Sequence, residues 1–406
     1  MYSSDDAKYE GLSRLSLAEH VVFLGTYNAD PFKNKLSSWL PNLDLSGTIL
    51  LVSDNCSTDG TMTWLPDLVE SVGDSSALVC QDVNLGGYGN LSKNLSLMVK
   101  ANWVTTLHQD DRYSHNHVQD HRAVINSTDS KLGMVYSEAR SVTESGETRA
   151  YPRAHWLLGE DSDPVTVFLA HLRNHVFPFS GATFAKSALE KYPIPWHSTA
   201  FPDTEVVMKM CPEFDFKVSN GVTVEYLENP GSESHSLTSS HRDFGAFQAL
   251  ARVFAHPNYK LICSRVDDTD RATFASALRE GIAQRFEDRT LRLLMTQMAL
   301  EVTAEHMGTF PRLASELAVG YLSIGDTRAV DSLIAQGGHL AESGVDPDLR
   351  PSQEQSDKVS TATRSFLLTG FSFLPAPLRR PVFRLLLRFR FVRRRFKAWD
   401  FEWRDA

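Results

Sequence analysis

Two adjacent carboxylates, Asp110 and Asp111, directly follow a short apolar and β-branched run at residues 103–107. Such a run is typical of a buried strand. Carboxylates placed where a strand leaves an open α/β sheet lie in the crevice where these sheets bind ligands. Two hard oxygen ligands suit Mg²⁺ or Mn²⁺ that holds a phosphate. The alternative is a polar turn after a strand, and the neighbouring elements decide between the two.

Apolar runs alternate with amphipathic stretches before this point. The predicted strands are 19–27, 48–52, 77–80 and 103–107. The predicted helices between them are about 31–40, 61–71 and 91–101. Alternation at this spacing is typical of βαβ units with right-handed crossovers. The sequence therefore predicts an α/β fold with a mostly parallel sheet, which brings successive strand ends towards the two aspartates.

Composition excludes several other classes of protein. The chain has 406 residues, enough for two or three domains, and is 42% hydrophobic and 22% charged, as in ordinary globular proteins. Its net charge of −9 argues against nucleic acid as the main partner. The polar N-terminus predicts no signal peptide, and no apolar stretch reaches the roughly 18–20 residues that span a bilayer. The scattered cysteines argue against a zinc module or a disulfide framework and suit a reducing cytosol: Cys56, Cys80, Cys211 and Cys263.

Three histidines, His115, His117 and His121, follow the aspartates and raise the question of a zinc site. The H-x-H spacing plus a helical i+4 histidine can converge on a metal, but no further Cys or Glu completes the set. A polar helix start is the favoured interpretation.

Four segments, taken in order, resemble the motifs of family-2 glycosyltransferases. They are Thr26-Tyr27-Asn28, residues 53–61, residues 84–94 and His108-Gln109-Asp110-Asp111. The resemblance implies a GT-A fold, the Rossmann-like mixed sheet of nucleotide-diphospho-sugar transferases, followed here by a mostly α-helical C-terminal region. It also implies a nucleotide-sugar donor.

The resemblance assigns donor-binding roles to individual residues. Tyr27 would line the base pocket, and Asp54 would accept a hydrogen bond from the base. Asn84 and Lys93 would lie near the nucleotide and its phosphates, with Lys93 in the first turn of a helix, where backbone N–H groups also favour phosphate. A solvated surface lysine is the alternative for Lys93. Gln109 and Asp110 complete the implied donor-binding set.

The aspartates coincide with the D-x-D motif of the resembled family. Asp110 matches the residue that holds the metal, Asp111 matches the acidic residue after it, and His235 is a third candidate ligand. The expected cofactor is a divalent cation, Mn²⁺ or Mg²⁺. His108 departs from the pattern: an imidazole can ligate Mn²⁺ or bind a ribose, but it supplies no negative charge.

The acceptor half resembles the family at residues 179–184, a small-residue strand, and at residues 201–210, a helix that opens with acidic residues. There Asp203 takes the position of the catalytic base, with Glu205 as the alternative base. Lys209 takes the basic position, and Pro202 replaces the usual first Glu. An inverting sugar transfer needs such a carboxylate to accept the proton of the attacking hydroxyl, while a cation neutralises the departing diphosphate. The alternative role of Asp203 is a helix N-cap.

The expected organisation is a GT-A domain at 1–244, with a donor half at about 19–113 and an acceptor half at about 114–244. A helical region at 245–375 would serve acceptor recognition or oligomerisation, with a homo-oligomer as one outcome. Its predicted helices are 243–255, 270–303, 311–322 and 327–342.

The tail at 376–406 differs from the rest of the chain. Residues 378–397 contain nine Arg or Lys residues interleaved with aliphatic and aromatic ones. This pattern suits an interfacial helix on an anionic membrane, and it equally suits a helix docked on an acidic protein body. The expected location is the cytoplasm. If the tail is an interfacial helix, the protein would also contact the inner face of the cell membrane peripherally.

These observations predict an inverting glycosyltransferase that moves a sugar from a nucleotide-sugar donor to a glycan or lipid-linked polysaccharide acceptor, with no nucleic acid partner. The competing hypothesis is a catalytically impaired nucleotide-sugar-binding scaffold in a glycan assembly complex. It is kept open by His108 and Pro202, which stand where the family has acidic residues.

Overall fold

The computed structural model describes residues 13–128, 131–143, 146–150, 163–173, 179–194, 201–227 and 239–307. The chain divides into two compact units, Met1–His241 and Arg242–Ala406. No helix in these ranges is both long enough and apolar enough to cross a membrane.

A mixed sheet of nine strands forms the centre of the first unit, counted over the residues that the structure describes. The strands are β1 His20–Thr26, β2 Ile49–Asp54, β3 Ser76–Cys80, β4 Trp103–His108, β5 Arg112–Tyr113, β6 Leu132–Val142, β7 Thr148–Ala150, β8 Thr183–Ala185 and β9 Asp215–Leu227. Their order is β3-β2-β1-β4-β8-β6-β9-β5, with β7 paired to β6. The α/β class expected from the sequence is confirmed.

The first four strands run parallel to one another. β8 lies antiparallel between β4 and β6, and β9 is again parallel to β6. Strands inside a parallel sheet are covered on both faces and are therefore almost continuously apolar. Val21, Val22 and Leu24 of β1 are all fully buried, as this rule requires.

Seven α-helices lie wholly within the first unit, counted over the described ranges. They are α1 Lys33–Trp39, α2 Leu65–Val72, α3 Gly87–Asn94, α4 His117–Asn126, α5 Pro164–Leu172, α6 Lys186–Lys191 and α7 Pro202–Met210. Pro164 and Pro202 stand at the first helical position, where a missing N–H leaves no bond unmade. The Asp163 carboxylate caps α5 by accepting from the N–H groups of Val165 and Thr166.

A buried apolar cluster holds α1 and α2 against the sheet. It includes Trp39, Leu65, Leu24 and Leu107. Trp39 also packs edge-on against Tyr113, with ring centroids 5.0 Å apart. This cluster fixes the strand ends that carry the candidate site.

Three boundaries differ from the sequence prediction. The helix expected at 91–101 is wrong in position, because α3 begins at Gly87 and ends at Asn94. The polar composition of 141–165 favours a loop, but this stretch contains β7 and the start of α5. The strand expected at 179–184 is confined to β8, because Gly181 has a φ of +81° and turns the chain just before it.

The second unit is helical over its described part. Its helices include most of α8 Ser239–Phe254, then α9 Pro257–Ser264, α10 Arg271–Arg285 and α11 Arg289–Met307. The mostly α-helical character expected here is confirmed, but α9 was not predicted.

The single helix expected at 270–303 is wrong. It is divided at 286–288, where the Asp243 carboxylate accepts hydrogen bonds from the N–H groups of Glu287 and Asp288. Asp288 then caps the next helix by accepting from Leu291 N at 2.8 Å. The helices predicted at 311–322 and 327–342 and the basic stretch 378–397 lie outside the described residues.

Candidate functional site

The carboxyl ends of β1, β2 and β4 meet at one edge of the sheet. Thr26 of β1 pairs with Asp54 of β2, and Gly25 pairs with His108 of β4. The segments that follow these strands therefore begin next to one another. This is the edge where open α/β sheets bind ligands.

Gln109 joins the 108–111 turn to the end of β1. Its Oε1 accepts from Tyr27 N at 2.8 Å, and its Nε2 donates to Tyr27 O at 2.9 Å. Both ends of the amide are thereby used on the Tyr27 backbone, while the Tyr27 side chain stays 39% exposed. Gln109 thus positions Tyr27, which is a role that the sequence does not reveal.

The Asp54 carboxylate organises the loop after β2. It is buried, and it accepts from Ser57 N at 2.9 Å, Ser57 Oγ at 2.6 Å and Thr26 Oγ1 at 3.2 Å. Cys56 has a φ of +64° in this tight loop. Asp54 is the last residue of β2 and organises the loop that follows, while its base-binding role stays a prediction.

Asn84 forms the entry to α3. Its Oδ1 accepts from Asn55 Nδ2 at 2.7 Å and from Gly86 N at 2.8 Å. The helix begins one residue after Gly86, so the N–H groups of its first turn belong to residues 87–89. The placement of Lys93 in a first turn is wrong, because this exposed lysine lies in the last turn.

A buried amide network, missed at the sequence level, fixes α3 to β2. Ser53 Oγ donates to Asn90 Oδ1 at 2.7 Å, and Asn90 Nδ2 donates to Ser53 O at 2.9 Å. Gln81 Nε2 and Asn94 Nδ2 donate to Ser53 Oγ at 3.1 and 3.0 Å. The sequence signal that could have indicated this network is the spacing of Asn90 and Asn94, which lie one helical turn apart.

His108, Asp110 and Asp111 bring their ligand atoms together within 4.8 Å of one another. Ligands of one small divalent cation, bonded at about 2.1–2.3 Å, lie about 3–4.5 Å apart, so the donor set fits such an ion after small side-chain adjustments. His108 and Asp110 are partly exposed and Asp111 is buried. His235, the third candidate ligand, lies outside the described residues.

The Asp111 carboxylate is held from two sides. Its Oδ2 accepts from Ser180 Oγ, and its Oδ1 accepts from Leu227 N at 3.0 Å. Burial, followed by the charge of the neighbouring Asp110, raises its pKa to about 6, although His108 opposes the shift.

Tyr113 completes this bonding. Its hydroxyl accepts from His108 N at 2.8 Å and pairs with Ser180 Oγ. Burial, followed by the charge of Asp111, raises the pKa of Tyr113 well above its usual value, so the hydroxyl keeps its proton. Tyr113 and Ser180 are site residues that the sequence analysis did not single out.

Lys35 of α1 reaches the same turn. Its Nζ donates to the backbone oxygen of Asp110 at 2.7 Å. Burial lowers the pKa of this lysine, while the charges of Asp110 and Asp111 act in the opposite direction. No sequence motif pointed to Lys35, because the contact joins residues 75 positions apart.

The 179–182 turn presents Ser180 to Asp111. Thr106 Oγ1 donates to Phe179 O at 2.7 Å, and Gly181 N donates to Thr106 O at 2.6 Å. A Cβ on Gly181 would lie 2.8 Å from Val224 Cγ2, so the turn has no room for a side chain. The small-residue segment noted in the sequence is therefore a support for Asp111.

A helix does begin at His117, as predicted, but the side chains of His117 and His121 are fully buried. His117 Nε2 donates to Gly181 O at 2.9 Å, and its Nδ1 pairs with Thr223 Oγ1 at 2.8 Å. His121 pairs with Thr183 Oγ1 and Ser137 Oγ, both at 2.7 Å. With every ring nitrogen bonded, neither histidine offers a metal ligand.

This bonding continues across the sheet. Thr183 Oγ1 pairs with Thr105 Oγ1 at 2.6 Å, and Thr105 pairs with His20 Nε2 at 2.8 Å. On the other side, Ser137 Oγ pairs with Ser219 Oγ at 2.7 Å. A buried polar chain therefore links β1, β4, β8, α4, β6 and β9.

Asp203 and Glu205 lie in the first turn of α7. The helix begins at Pro202 and its N-cap is Phe201, so Asp203 is not the N-cap. Glu205 is 1% exposed and forms an ion pair with Lys209, whereas Asp203 is partly exposed. Glu205, the alternative base, is therefore already engaged in an ion pair with Lys209.

No protein-family model and no curated protein matches the chain. Similar solved structures include S. aureus TarS 1–349 in complex with UDP-GlcNAc, with 14% identity and a TM-score of 0.49, covering 74% of this chain and 90% of that one. The mannosyltransferase PcManGT from Pyrobaculum calidifontis, in complex with GDP-Man and Mn²⁺, has 16% identity and a TM-score of 0.43, covering 84% and 96%. Glucosyl-3-phosphoglycerate synthase from Mycobacterium tuberculosis, with Mn²⁺, UDP and phosphoglyceric acid, has 16% identity and a TM-score of 0.37, covering 60% and 81%.

The described residues show the expected α/β sheet followed by helices, and its assignment to the GT-A type stays a prediction.

Proposed function

We propose that this protein transfers a sugar from a nucleotide-diphosphate donor to a hydroxyl of a glycan or lipid-linked acceptor, with inversion at the anomeric carbon. The observation that carries the proposal is the link made by Gln109. It ties Tyr27, at the expected base pocket, to the 108–111 turn, at the expected diphosphate site. One bound nucleotide would span both, in the crevice where such sheets bind ligands.

The 108–111 turn would hold a divalent cation, and its candidate ligands are the side chains of His108, Asp110 and Asp111. When bound, such a cation neutralises the charge that develops on a departing diphosphate. Lys35 and Tyr113 hold the backbone of this turn, at Asp110 O and His108 N, and so keep its side chains at fixed positions.

Asp203 would act as the general base. Its carboxylate accepts the proton of the acceptor hydroxyl as the hydroxyl oxygen attacks the anomeric carbon and the bond to the diphosphate breaks. Glu205 is the weaker candidate because it is buried and paired with Lys209. In this proposal Glu205 stabilises α7 through its ion pair with Lys209, four residues further along the helix.

The test is release of nucleoside diphosphate from a panel of nucleotide sugars, with Mn²⁺ and a mixture of saccharide acceptors. The Asp203→Asn variant should lose about 100-fold or more in turnover, and its retention of donor affinity shows that the site is intact. Turnover within about threefold of wild type in folded Asp203→Asn would remove Asp203 from the mechanism. Tight donor binding without any turnover by the wild type would favour the scaffold hypothesis, for which His108 and Pro202 are the sequence evidence.

The basic stretch 378–397 suggests where in the cell this protein would act. Its interleaved cationic and apolar residues suit the surface of an anionic membrane, where lipid-linked acceptors are found. The full chain should co-sediment with vesicles that contain anionic lipid, and a chain ending at residue 377 should not. Equal sedimentation of both would assign the tail to contacts within the protein.

A further inference from the structure

The three side chains of the 108–111 turn differ in how their ligand atoms are used. Among the described residues, no group donates a hydrogen bond to the Asp110 carboxylate, and neither ring nitrogen of His108 has a hydrogen-bond partner. Both oxygens of Asp111 already accept hydrogen bonds, and this residue is only 1% exposed. The first two side chains are therefore available to a ligand, and the third is committed to the protein.

The partners of Asp111 explain what that commitment does. Ser180 belongs to the turn before β8, and Leu227 is the last residue of β9. Ser180 also pairs with Tyr113, whose hydroxyl accepts from His108 N. Asp111 thus joins two strands of the sheet to the turn that carries His108, which is the kind of outer-shell bonding that orients metal ligands.

We propose that His108 and Asp110 are the protein ligands of the cation in this site, and that Asp111 is a positioning residue. One imidazole nitrogen and one carboxylate oxygen would then make the site prefer divalent first-row transition ions to Mg²⁺. This inference rests on the proposed function for the remaining ligands, the diphosphate oxygens.

Ligand chemistry decides the preference. Imidazole suits transition-metal ions, whereas Mg²⁺ takes oxygen ligands and loses its water reluctantly. A carboxylate in place of His108 would also add a negative charge, and the attraction of a hard cation depends on that charge. Affinity should therefore rise in the order Mg²⁺, Mn²⁺, Co²⁺, as nitrogen ligation predicts.

The first experiment measures selectivity in the full chain. UDP and GDP are titrated calorimetrically in the presence of Mg²⁺, Mn²⁺ or Co²⁺, for wild type and for His108→Asp. Wild type should bind at least about tenfold tighter with Co²⁺ than with Mg²⁺, and the His108→Asp ratio should fall several-fold towards that of free nucleotide. An unchanged ratio in His108→Asp overturns the proposal.

The second experiment observes the nitrogen ligand directly. Electron spin-echo envelope modulation of bound Mn²⁺ should show a ¹⁴N coupling in wild type that is lost in His108→Asn. His115→Asn is the matched control, because His115 is an exposed histidine nearby whose Nδ1 pairs with Asn42 O. A coupling that persists in His108→Asn overturns the assignment.

The third experiment separates ligand from support, with Mn²⁺ alone as the probe and the paramagnetic resonance signal of free Mn²⁺ as the readout. Asp110→Asn should weaken Mn²⁺ binding by about tenfold or more. Asp111→Asn should stay within about threefold of wild type, because an amide can still accept from Leu227 N and bond Ser180 Oγ. Equal losses in the two variants would make Asp111 a ligand and overturn its positioning role.

These outcomes are distinguishable from failure of the proposed function. If Mn²⁺ alone binds as described but neither UDP nor GDP binds with any cation, the ligand assignment stands and the donor hypothesis fails. If Mn²⁺ binds neither alone nor with a nucleotide, the ligand assignment itself is wrong.

Discussion

Acidification from pH 7.5 to 5.5 should destabilise the first unit by about 3 kcal/mol, because folding buries three histidines in neutral form. Burial lowers the pKa of His20 to about 3, with Arg122 contributing, and that of His117 to about 4. Burial, with the neighbouring His117 and His20, lowers the pKa of His121 well below its usual value. Below pH 6.5 these three histidines bind protons in the unfolded chain but stay neutral in the folded protein. The free energy of unfolding therefore decreases as the pH falls.

The magnitude follows from proton linkage. With an ordinary pKa of 6.5, each unfolded histidine gains about 1.4 kcal/mol from protonation at pH 5.5, or about 4 kcal/mol for the three. Asp111 acts in the opposite direction, because its pKa is raised to about 6 in the folded protein. As the pH falls, Asp111 takes up a proton in the folded protein before it does so in the unfolded chain. This stabilises the folded protein by about 0.8 kcal/mol at pH 5.5 and leaves a net loss near 3 kcal/mol.

The assay is urea unfolding at several pH values between 5.5 and 7.5. Tryptophan fluorescence follows the first unit, because Trp39 and Trp64 are buried in its core. The variant His20→Asn removes one of the three groups and should reduce the loss by about 1.4 kcal/mol. His115→Gln, which replaces a histidine at an exposed position, is the control.

A free energy of unfolding that stays constant or rises towards pH 5.5 would refute this reasoning. The rings would then carry protons in the folded state. The polar chain through His121 and Thr183 would also have to be bonded differently.

Two further substitutions test local packing by urea unfolding. Gly181→Ala should lower the free energy of unfolding by about 3–4 kcal/mol, from backbone strain and the close approach to Val224. Gly73→Ala, at φ +87° and ψ −158° with open space around it, should lose about 1–2 kcal/mol from backbone strain alone, and equal losses would contradict the crowding seen at Gly181. Glu205→Gln should lower it by about 2 kcal/mol, since it removes the charge from a buried ion pair with Lys209. Donor affinity unchanged in folded Glu205→Gln would support a structural role, and loss of turnover alone would make Glu205 the base.

Much of the first half of the fold could be predicted from the sequence. The strands β1, β2 and β4 are long enough to show a buried apolar run, and polar residues mark where each ends. β8 has only three residues, too few to show any period, so its limits depend on the turn at Gly181. The start of α3 was missed because Gly87 and Gly89 are poor helix formers, and tertiary bonds to Asn90 override that preference.

The candidate site was predictable in part. The positions of Asp54, Gln109 and Asp110 at the carboxyl ends of strands could be predicted, because each stands at the end of an apolar run within a recognisable motif. The residues that hold the 108–111 turn, Lys35 at the backbone oxygen of Asp110 and Ser180 at the carboxylate of Asp111, could not be found in this way. Their partners are 69 or more positions away, and only the folded sheet brings them together. The buried histidines were misjudged for the same reason, because their bonding partners lie on other strands.

The most direct test of donor binding at the carboxyl ends of β1, β2 and β4 is a crystal structure with Mn²⁺ and UDP or GDP, using anomalous scattering to locate the metal. An anomalous peak within bonding distance of His108 and Asp110, with the base beside Tyr27, is the expected result. A nucleotide bound elsewhere on the protein, or metal density away from the 108–111 turn, would contradict the proposed donor site.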